Sequence, residues 1–233
     1  MRIRVINPNA SEAVTSRIAL AASAAARTGT EIEVIRCSSG PSAIQSHYEM
    51  VLAGPGLLDA VRDGEQRGCD GYVLASFGDP GLDAAREITR APVVGIGEAA
   101  MHAASYLAGG FIIVTTLPRM RIFAERLAAD CGMERHCRSV TVVDCDIRTL
   151  AADPAGMLER MALACSEALD THGADAVVLG SAGMAGLGRD LSQRIGVPVV
   201  DGVAVAVKWV EGLADLALAT SRRGPFAAPE SLR

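Results

Sequence analysis

One pattern of residues occurs twice in this chain. Asp70-Gly-Tyr-Val-Leu-Ala-Ser76 aligns with Asp175-Ala-Val-Val-Leu-Gly-Ser181 at a spacing of about 105 residues, and Ala91-Pro-Val-Val-Gly95 aligns with Val197-Pro-Val-Val-Asp201. Val5-Ile-Asn-Pro-Asn9 has a looser echo in Val114-Thr-Thr-Leu-Pro118. Two copies of a unit of about 100 residues predict two similar lobes, each too small to be a large domain by itself. The 233 residues accommodate the two copies with little to spare.

Each copy alternates short β-branched runs with longer helical patterns. Arg2–Ile6 reads as a strand, Ser11–Arg27 as an Ala-rich helix, Glu31–Arg36 as a strand and Leu57–Arg67 as a helix. Strand Tyr72–Ala75, helix Leu82–Thr89, strand Pro92–Gly95 and helix Glu98–Leu107 follow. Nearly continuous apolar strands separated by helices predict an α/β fold, with parallel sheets covered on both faces. The expected division is residues 1–96 plus 206–221 in the first lobe, 97–205 in the second, and a tail over 222–233. The two lobes would be related by a pseudo-two-fold axis.

A duplicated α/β unit places corresponding loops at the carboxyl ends of its strands, facing each other across the cleft where such sheets bind ligands. Ser76 and Ser181 are then symmetry mates. Each follows a strand, so the loop N–H groups just after it are placed to hold a carbonyl oxygen or an anion. Asp79-Pro80-Gly81 predicts a helix beginning at Pro80 with Asp79 as its cap. Thr115 and Thr116 in one lobe, and Asn7 and Asn9 in the other, end strands at matching places, where they can cap a helix or orient a small polar ligand.

Composition excludes several classes of function. With 22 Lys plus Arg against 27 Asp plus Glu and a net charge of −5, no nucleic-acid-binding surface is expected. No apolar run approaches the roughly 18 to 20 residues that cross a bilayer, and no signal peptide precedes Asn7-Pro8-Asn9, so neither membrane nor export is expected. The six cysteines, Cys37, Cys69, Cys131, Cys137, Cys145 and Cys165, form no C-x-x-C pair and read as reduced thiols of a cytoplasmic protein. Cys131, His136 and Cys137 lack a fourth ligand and zinc spacing; they read as a helix end and loop with incidental thiols. Self-association into a homo-oligomer is expected of so apolar a chain.

Other motifs have plainer readings. Gly95-Ile-Gly-Glu-Ala-Ala100 matches a dinucleotide fingerprint, but the following strand ends at Thr115-Thr116 without the acidic residue that would hold a ribose, so close helix packing is the better account. Lys208 reads as a solvated helix lysine rather than a Schiff-base lysine. Glu98 and His102 share a helix face, either as an acid-base pair at the cleft or as a helix-start carboxylate beside a half-exposed imidazole. His47-Tyr48-Glu49 lies in a polar stretch after Gly40-Pro41, as a cover for the cleft or as a turn into a helix.

Taken in order, Ile6-Asn-Pro-Asn9, Gly56-Leu-Leu58, Ala75-Ser-Phe-Gly-Asp-Pro-Gly-Leu82, Ala84-Ala-Arg-Glu87, Glu98-Ala-Ala-Met-His102, Val114-Thr-Thr-Leu-Pro-Arg119, Val178-Leu-Gly-Ser-Ala-Gly-Met184 and Val197-Pro-Val-Val-Asp-Gly202 resemble the hydantoin and allantoin racemases. These belong to the cofactor-independent aspartate/glutamate racemase superfamily. The resemblance runs from about residue 2 to Ser221. It implies an Asp/Glu racemase-like fold, a small hydantoin-type substrate and no metal or pyridoxal cofactor. It also implies a pair of cysteines on opposite sides of the stereogenic carbon, one taking its proton as thiolate while the other delivers one to the opposite face.

At the two positions where the resemblance implies cysteine, this chain carries Ser76 and Ser181. A paired change to the oxygen isostere is what a deliberately disabled double variant, made to bind substrate without turning it over, would carry; a natural homologue with a different chemistry is the alternative. A serine hydroxyl is a poor general base unless a neighbour accepts its proton. The expectation is therefore a chain that binds its ligand and racemises it slowly or not at all. Asn9, Thr115, Thr116 and the loop amides of Phe77, Gly78, Ala182 and Gly183 would hold the ring. Gly78, in place of an acidic residue, points towards allantoin. Two other readings compete: an arylmalonate-type decarboxylase, which needs one cysteine of the pair, and a small-molecule binding protein whose lobes close on a ligand without chemistry.

Overall fold

The computed structural model describes residues 1–143 and 153–232. Cys145 lies outside the described residues. The first half runs β1 (Arg2–Asn7), α1 (Glu12–Ala25), β2 (Glu31–Arg36), α2 (His47–Gln66), β3 (Gly71–Leu74), α3 (Leu82–Ile88), β4 (Val93–Gly95) and α4 (Ile96–Leu107). The second runs β5 (Phe111–Thr115), α5 (Arg121–Asp130), β6 (Cys137–Val142), α6 (Pro154–His172), β7 (Ala176–Leu179), α7 (Gly188–Ile195), β8 (Val199–Val200) and α8 (Gly202–Asp215).

Two four-stranded parallel sheets result, ordered β2-β1-β3-β4 and β6-β5-β7-β8. The order is the same in both, which is the duplication written in topology. Central strands β1, β3, β5 and β7 are buried almost end to end, in keeping with their apolar sequences and with helices on both faces. Short side chains cap the helices: Ser11 Oγ accepts the Val14 N–H at 3.3 Å, and Ser46 Oγ accepts the Glu49 N–H at 3.3 Å.

The last helix of each half packs on the other half. From α4, Ala100, Met101 and Ala104 join Phe111 and Ile113 of β5 and Ala176 and Val178 of β7 in one core. From α8, Val203, Ala206, Val207 and Val210 pack with Val5 of β1 and Val73 of β3. Gly71 makes room for this, because a Cβ there would lie 2.2 Å from Val210 Cγ1.

Several local expectations change. Helix α2 begins at His47, ten residues before Leu57, because Ser46 caps it and Glu49 reaches back to the Gln45 N–H at 2.7 Å and the Ser46 hydroxyl at 2.8 Å. His47-Tyr48-Glu49 is therefore its first turn. The helix after Ser76 starts at Leu82 rather than Pro80, with Gly81 in a left-handed conformation (φ 76°) before it. Cys137 opens strand β6 instead of lying in a loop. Among the described residues no helix is long and apolar enough to cross a membrane.

Candidate active site

The carboxyl ends of β1, β3, β5 and β7 converge on a cleft of about 590 Å³. Nine residues named from the sequence line it together: Asn9, Ser76, Phe77, Gly78, Thr115, Thr116, Ser181, Ala182 and Gly183. A volume of this size is typical of sites for small organic ligands. Ser76 stands two residues beyond β3 and Ser181 two residues beyond β7. Gly180, just before Ser181, has to be glycine: a Cβ there would sit 2.6 Å from the Val114 carbonyl oxygen, so it brings the β7 end close against β5.

The two hydroxyls have different surroundings. Ser181 Oγ accepts the Gly183 N–H at 3.2 Å. Ser76 Oγ has no hydrogen-bond partner among the described residues, and it faces the cleft. On the β1 side, Asn7 is buried and donates to Thr15 Oγ1 at 2.9 Å, while Asn9 Oδ1 accepts the Ser11 N–H at 2.9 Å. That turn leaves the Asn9 Nδ2 donor to the cleft. Thr115 and Thr116 supply hydroxyls from the equivalent end of β5.

All of the lining side chains are uncharged. Polar atoms come from Asn, Ser, Thr and Gln, and the rest of the wall is apolar, with Val14, Ile44, Met50, Leu117 and Met120. Such a surface suits a neutral ring bearing several hydrogen-bonding groups, since a ligand carrying net charge would be desolvated without a counter-charge on the wall. It also leaves each serine without a neighbouring side-chain base.

Ser42, Ile44, Gln45 and Met50 form a wall that the sequence did not reveal. The segment after Gly40-Pro41 does cover the cleft, but with these residues rather than with His47 and Tyr48. His47 instead stacks on Phe123 of α5, ring centroids 4.4 Å apart, and so holds the start of α2 against the second half.

Glu98 and His102 are not an acid-base pair at this cleft. Glu98 Oε1 accepts the Gly95 N–H at 3.2 Å and pairs with Arg86, and His102 Nδ1 bonds the Glu98 carbonyl oxygen at 2.8 Å. Both residues border a separate cavity of about 380 Å³ beside Trp209. The Gly95-x-Gly97 segment serves packing: Gly97 approaches Leu127 and Asp79, with a Cβ at 97 placed 2.5 Å from Leu127 Cδ2. Asp79 does not cap α3. Its carboxylate accepts the Gly97 and Glu98 N–H groups at 3.2 and 2.9 Å, at the start of α4. Lys208 is half exposed and paired with Glu211 at 2.8 Å.

The described cysteines lie away from the cleft and are unsuited to acid-base work. Burial pushes the Cys37 and Cys137 thiols up to about 11, and Cys131 and Cys165 up to about 12. Cys69 is also raised, chiefly by burial. Among the described residues no group of three or more His, Cys, Asp or Glu is placed to hold a metal ion.

The chain is similar to known proteins over nearly its whole length. The Asp/Glu/Hydantoin racemase family matches residues 3–210. The chain is 39% identical over 230 residues to a hydantoin racemase of Pseudomonas sp. (strain NS671), covering 99% of this chain and 92% of that protein. Among solved structures it is similar to allantoin racemase from Klebsiella pneumoniae, with 46% identity, a TM-score of 0.95, and 99% of this chain and 94% of that one covered. It is also similar to allantoin racemase from Pseudomonas fluorescens, with 35% identity, a TM-score of 0.94, and 99% and 97% covered.

Proposed function

Since the chain belongs to the Asp/Glu/Hydantoin racemase family, we propose that its cleft receives a neutral cyclic ureide, a 5-substituted hydantoin or allantoin, with C5 held between Ser76 and Ser181. The observation that carries this reading is the placing of the two serines in equivalent loops of one uncharged cleft. Two-base racemisation needs one group to take the C5 proton and another to deliver a proton to the opposite face. A duplicated fold supplies such a pair by symmetry. Removing that proton moves negative charge onto the adjoining carbonyl oxygen, which loop N–H groups and the Asn9 amide can stabilise.

The same geometry supports slow turnover as part of this reading. A thiol titrates near 8.5 and is partly ionised at neutral pH, whereas a serine hydroxyl needs a base beside it. The side chains around Ser76 and Ser181 offer none. The chain as it stands therefore binds the ring and exchanges its C5 proton slowly or not at all. For the whole molecule we adopt the lobe division 1–96 plus 206–221 against 97–205, supported by the packing of α8 on the first sheet and of α4 on the second.

The test is proton NMR of C5–H exchange in deuterium oxide with each enantiomer of a 5-substituted hydantoin and of allantoin. It compares this chain with Ser76→Cys, Ser181→Cys and the double substitution. The expected result is racemisation by the double form, exchange of mainly one enantiomer by each single form, and near silence from the parent. Uncatalysed rates in all four, with loss of carbon dioxide from a disubstituted malonate in any Cys form, would overturn it in favour of a decarboxylase.

A further inference from the structure

Two carboxylates outside the cleft, Asp79 buried and Asp201 partly buried, occupy related places. Asp79 lies in the loop that carries Ser76, and accepts the Gly97 and Glu98 N–H groups of α4 through Oδ1 and Oδ2. Asp201 caps α8, accepting the Val203 N–H at 3.0 Å through Oδ1, and its Oδ2 accepts the Gly186 N–H at 2.6 Å, in the loop that follows Ser181. In each half a carboxylate thus ties the serine-bearing loop to the first turn of the helix that crosses to the other half. The source of the carboxylate is reversed: the loop provides it in the first half and the helix in the second.

The surroundings are built for these ties. Gly95 has no room for a side chain, because a Cβ there would lie 2.3 Å from Asp79 Cγ, and one at Gly97 would lie 2.9 Å from Asp79 Oδ2. Asp79 itself is held at φ 43°, a left-handed conformation that costs free energy in a residue other than glycine. A Cβ on Gly202 would lie 2.3 Å from the Ile96 carbonyl oxygen, so the first turns of α4 and α8 abut at the centre of the molecule. The loops also reach across: Phe77 packs in the core of the second sheet, and Ala182 and Ala185 pack in that of the first.

We propose that Asp79 and Asp201 are a matched pair of positioning residues that fix the two serine-bearing loops against the crossing helices, and so set how positions 76 and 181 face each other across the cleft. The kinetic part of this proposal rests on the racemase reading; the structural part does not. Burial pushes the Asp79 carboxyl up to about 7, Glu98 of α4 adds to the rise, and Arg86 of α3 with the two N–H groups opposes it. The Cys131 thiol at the end of α5 is the other titratable group that senses Asp79. Protonation removes the charge that makes the N–H bonds strong and turns one carboxyl oxygen into a donor. The raised value means that relief of the buried charge outweighs those weaker bonds, so it is ionisation, as the pH rises through neutrality, that favours opening of the tie.

Amide hydrogen exchange on the full chain tests the tie without any turnover. Above about pH 7, after correction for intrinsic rates, segments 76–79 and 95–98 should lose protection in the parent while β1 and β5 stay protected. Asp79→Asn, which does not titrate, should show no step. In the Ser76→Cys/Ser181→Cys form, Asp79→Asn should lower kcat for C5 exchange roughly tenfold or more with KM within about twofold, and Asp79→Ala should lower it further. Protection that is independent of pH in the parent, or kcat unchanged within about twofold by Asp79→Asn, overturns the proposal. A pH step in exchange together with a silent double Cys form upholds the ties and rejects the racemase reading.

Discussion

Ser76 and Ser181 close the same backbone turn at the same length: the Ser76 carbonyl accepts the Asp79 N–H at 3.0 Å and the Ser181 carbonyl accepts the Met184 N–H at 3.0 Å. The main chain is matched, whereas the side chains are not, because only Ser181 Oγ receives a loop N–H, that of Gly183. This asymmetry has a chemical consequence. An N–H aimed at the side-chain atom favours its anionic form.

A thiol introduced at position 181 should therefore ionise at lower pH than one at position 76, by about one pH unit. The pH dependence of alkylation in the Ser181→Cys and Ser76→Cys single forms measures this, with the parent subtracted for its buried thiols. Equal midpoints, or the reverse order, would show that the Gly183 N–H does not act on the side chain at 181.

Ligand binding is expected to depend on the donor that the β1 turn leaves facing the cleft. Asn9→Ala removes Nδ2 and also the acceptor that holds the Ser11 N–H. Asn9→Asp keeps that acceptor, loses the donor and places a negative charge in an otherwise uncharged wall. Calorimetric titration of hydantoin into the chain as it stands should show Asn9→Ala weaker by about tenfold, in line with roughly 1.4 kcal/mol for one hydrogen bond in a desolvated site. Asn9→Asp should be weaker still.

The parts legible in the sequence were those that repeat or alternate. Two parallel sheets follow from the copied strands, and the convergence of Ser76 with Ser181 follows from equal places in the two copies. The β2–α2 wall was not legible, since Ser42, Ile44 and Gln45 carry no periodicity and reach the cleft only through a long connection. Asp79 misled for a related reason: an Asp-Pro-Gly run is a local capping signal, but its carboxylate found N–H groups 18 and 19 residues ahead. A buried partner far along the chain outweighed the local one. Ser46 and Glu49, which start α2, form a capping pair that was there to be read.

Asp79 should also leave a mark on stability with a definite sign. Its folded-state carboxyl titrates at about 7, above the 3.8 of an ordinary aspartate, so the folded chain holds a proton that the unfolded chain releases. Stability from this group is fully present below the unfolded value and declines as pH rises towards 7. Asn does not titrate. The unfolding free energy of Asp79→Asn minus that of the parent should therefore increase from about pH 4 to 7 and level off above. Chemical denaturation across this range measures it; a difference that falls with pH would mean that the carboxylate is net stabilised by its N–H partners and Arg86.

Gly95-Ile-Gly-Glu-Ala-Ala100 is a sequence pattern with two physical explanations, and they predict different behaviour. If the glycines served a dinucleotide phosphate, Gly97→Ala would abolish nucleotide binding and leave the unliganded fold intact. The structure instead fills that space with protein: a Cβ at 97 lies 2.5 Å from Leu127 Cδ2 and 2.9 Å from Asp79 Oδ2. Leu127 is the flexible end of a side chain and can move, but the Asp79 carboxylate is fixed by two N–H bonds. Gly97→Ala should cost about 1–3 kcal/mol of stability, as overpacking of a filled site does, and should loosen segment 76–79 along with the start of α4. Gly54, in whose surroundings a Cβ meets nothing within 4 Å, is the control: Gly54→Ala should be neutral or stabilising through helix propensity. Thermal unfolding of the two variants separates the explanations, because only packing makes Gly97 costly and Gly54 free.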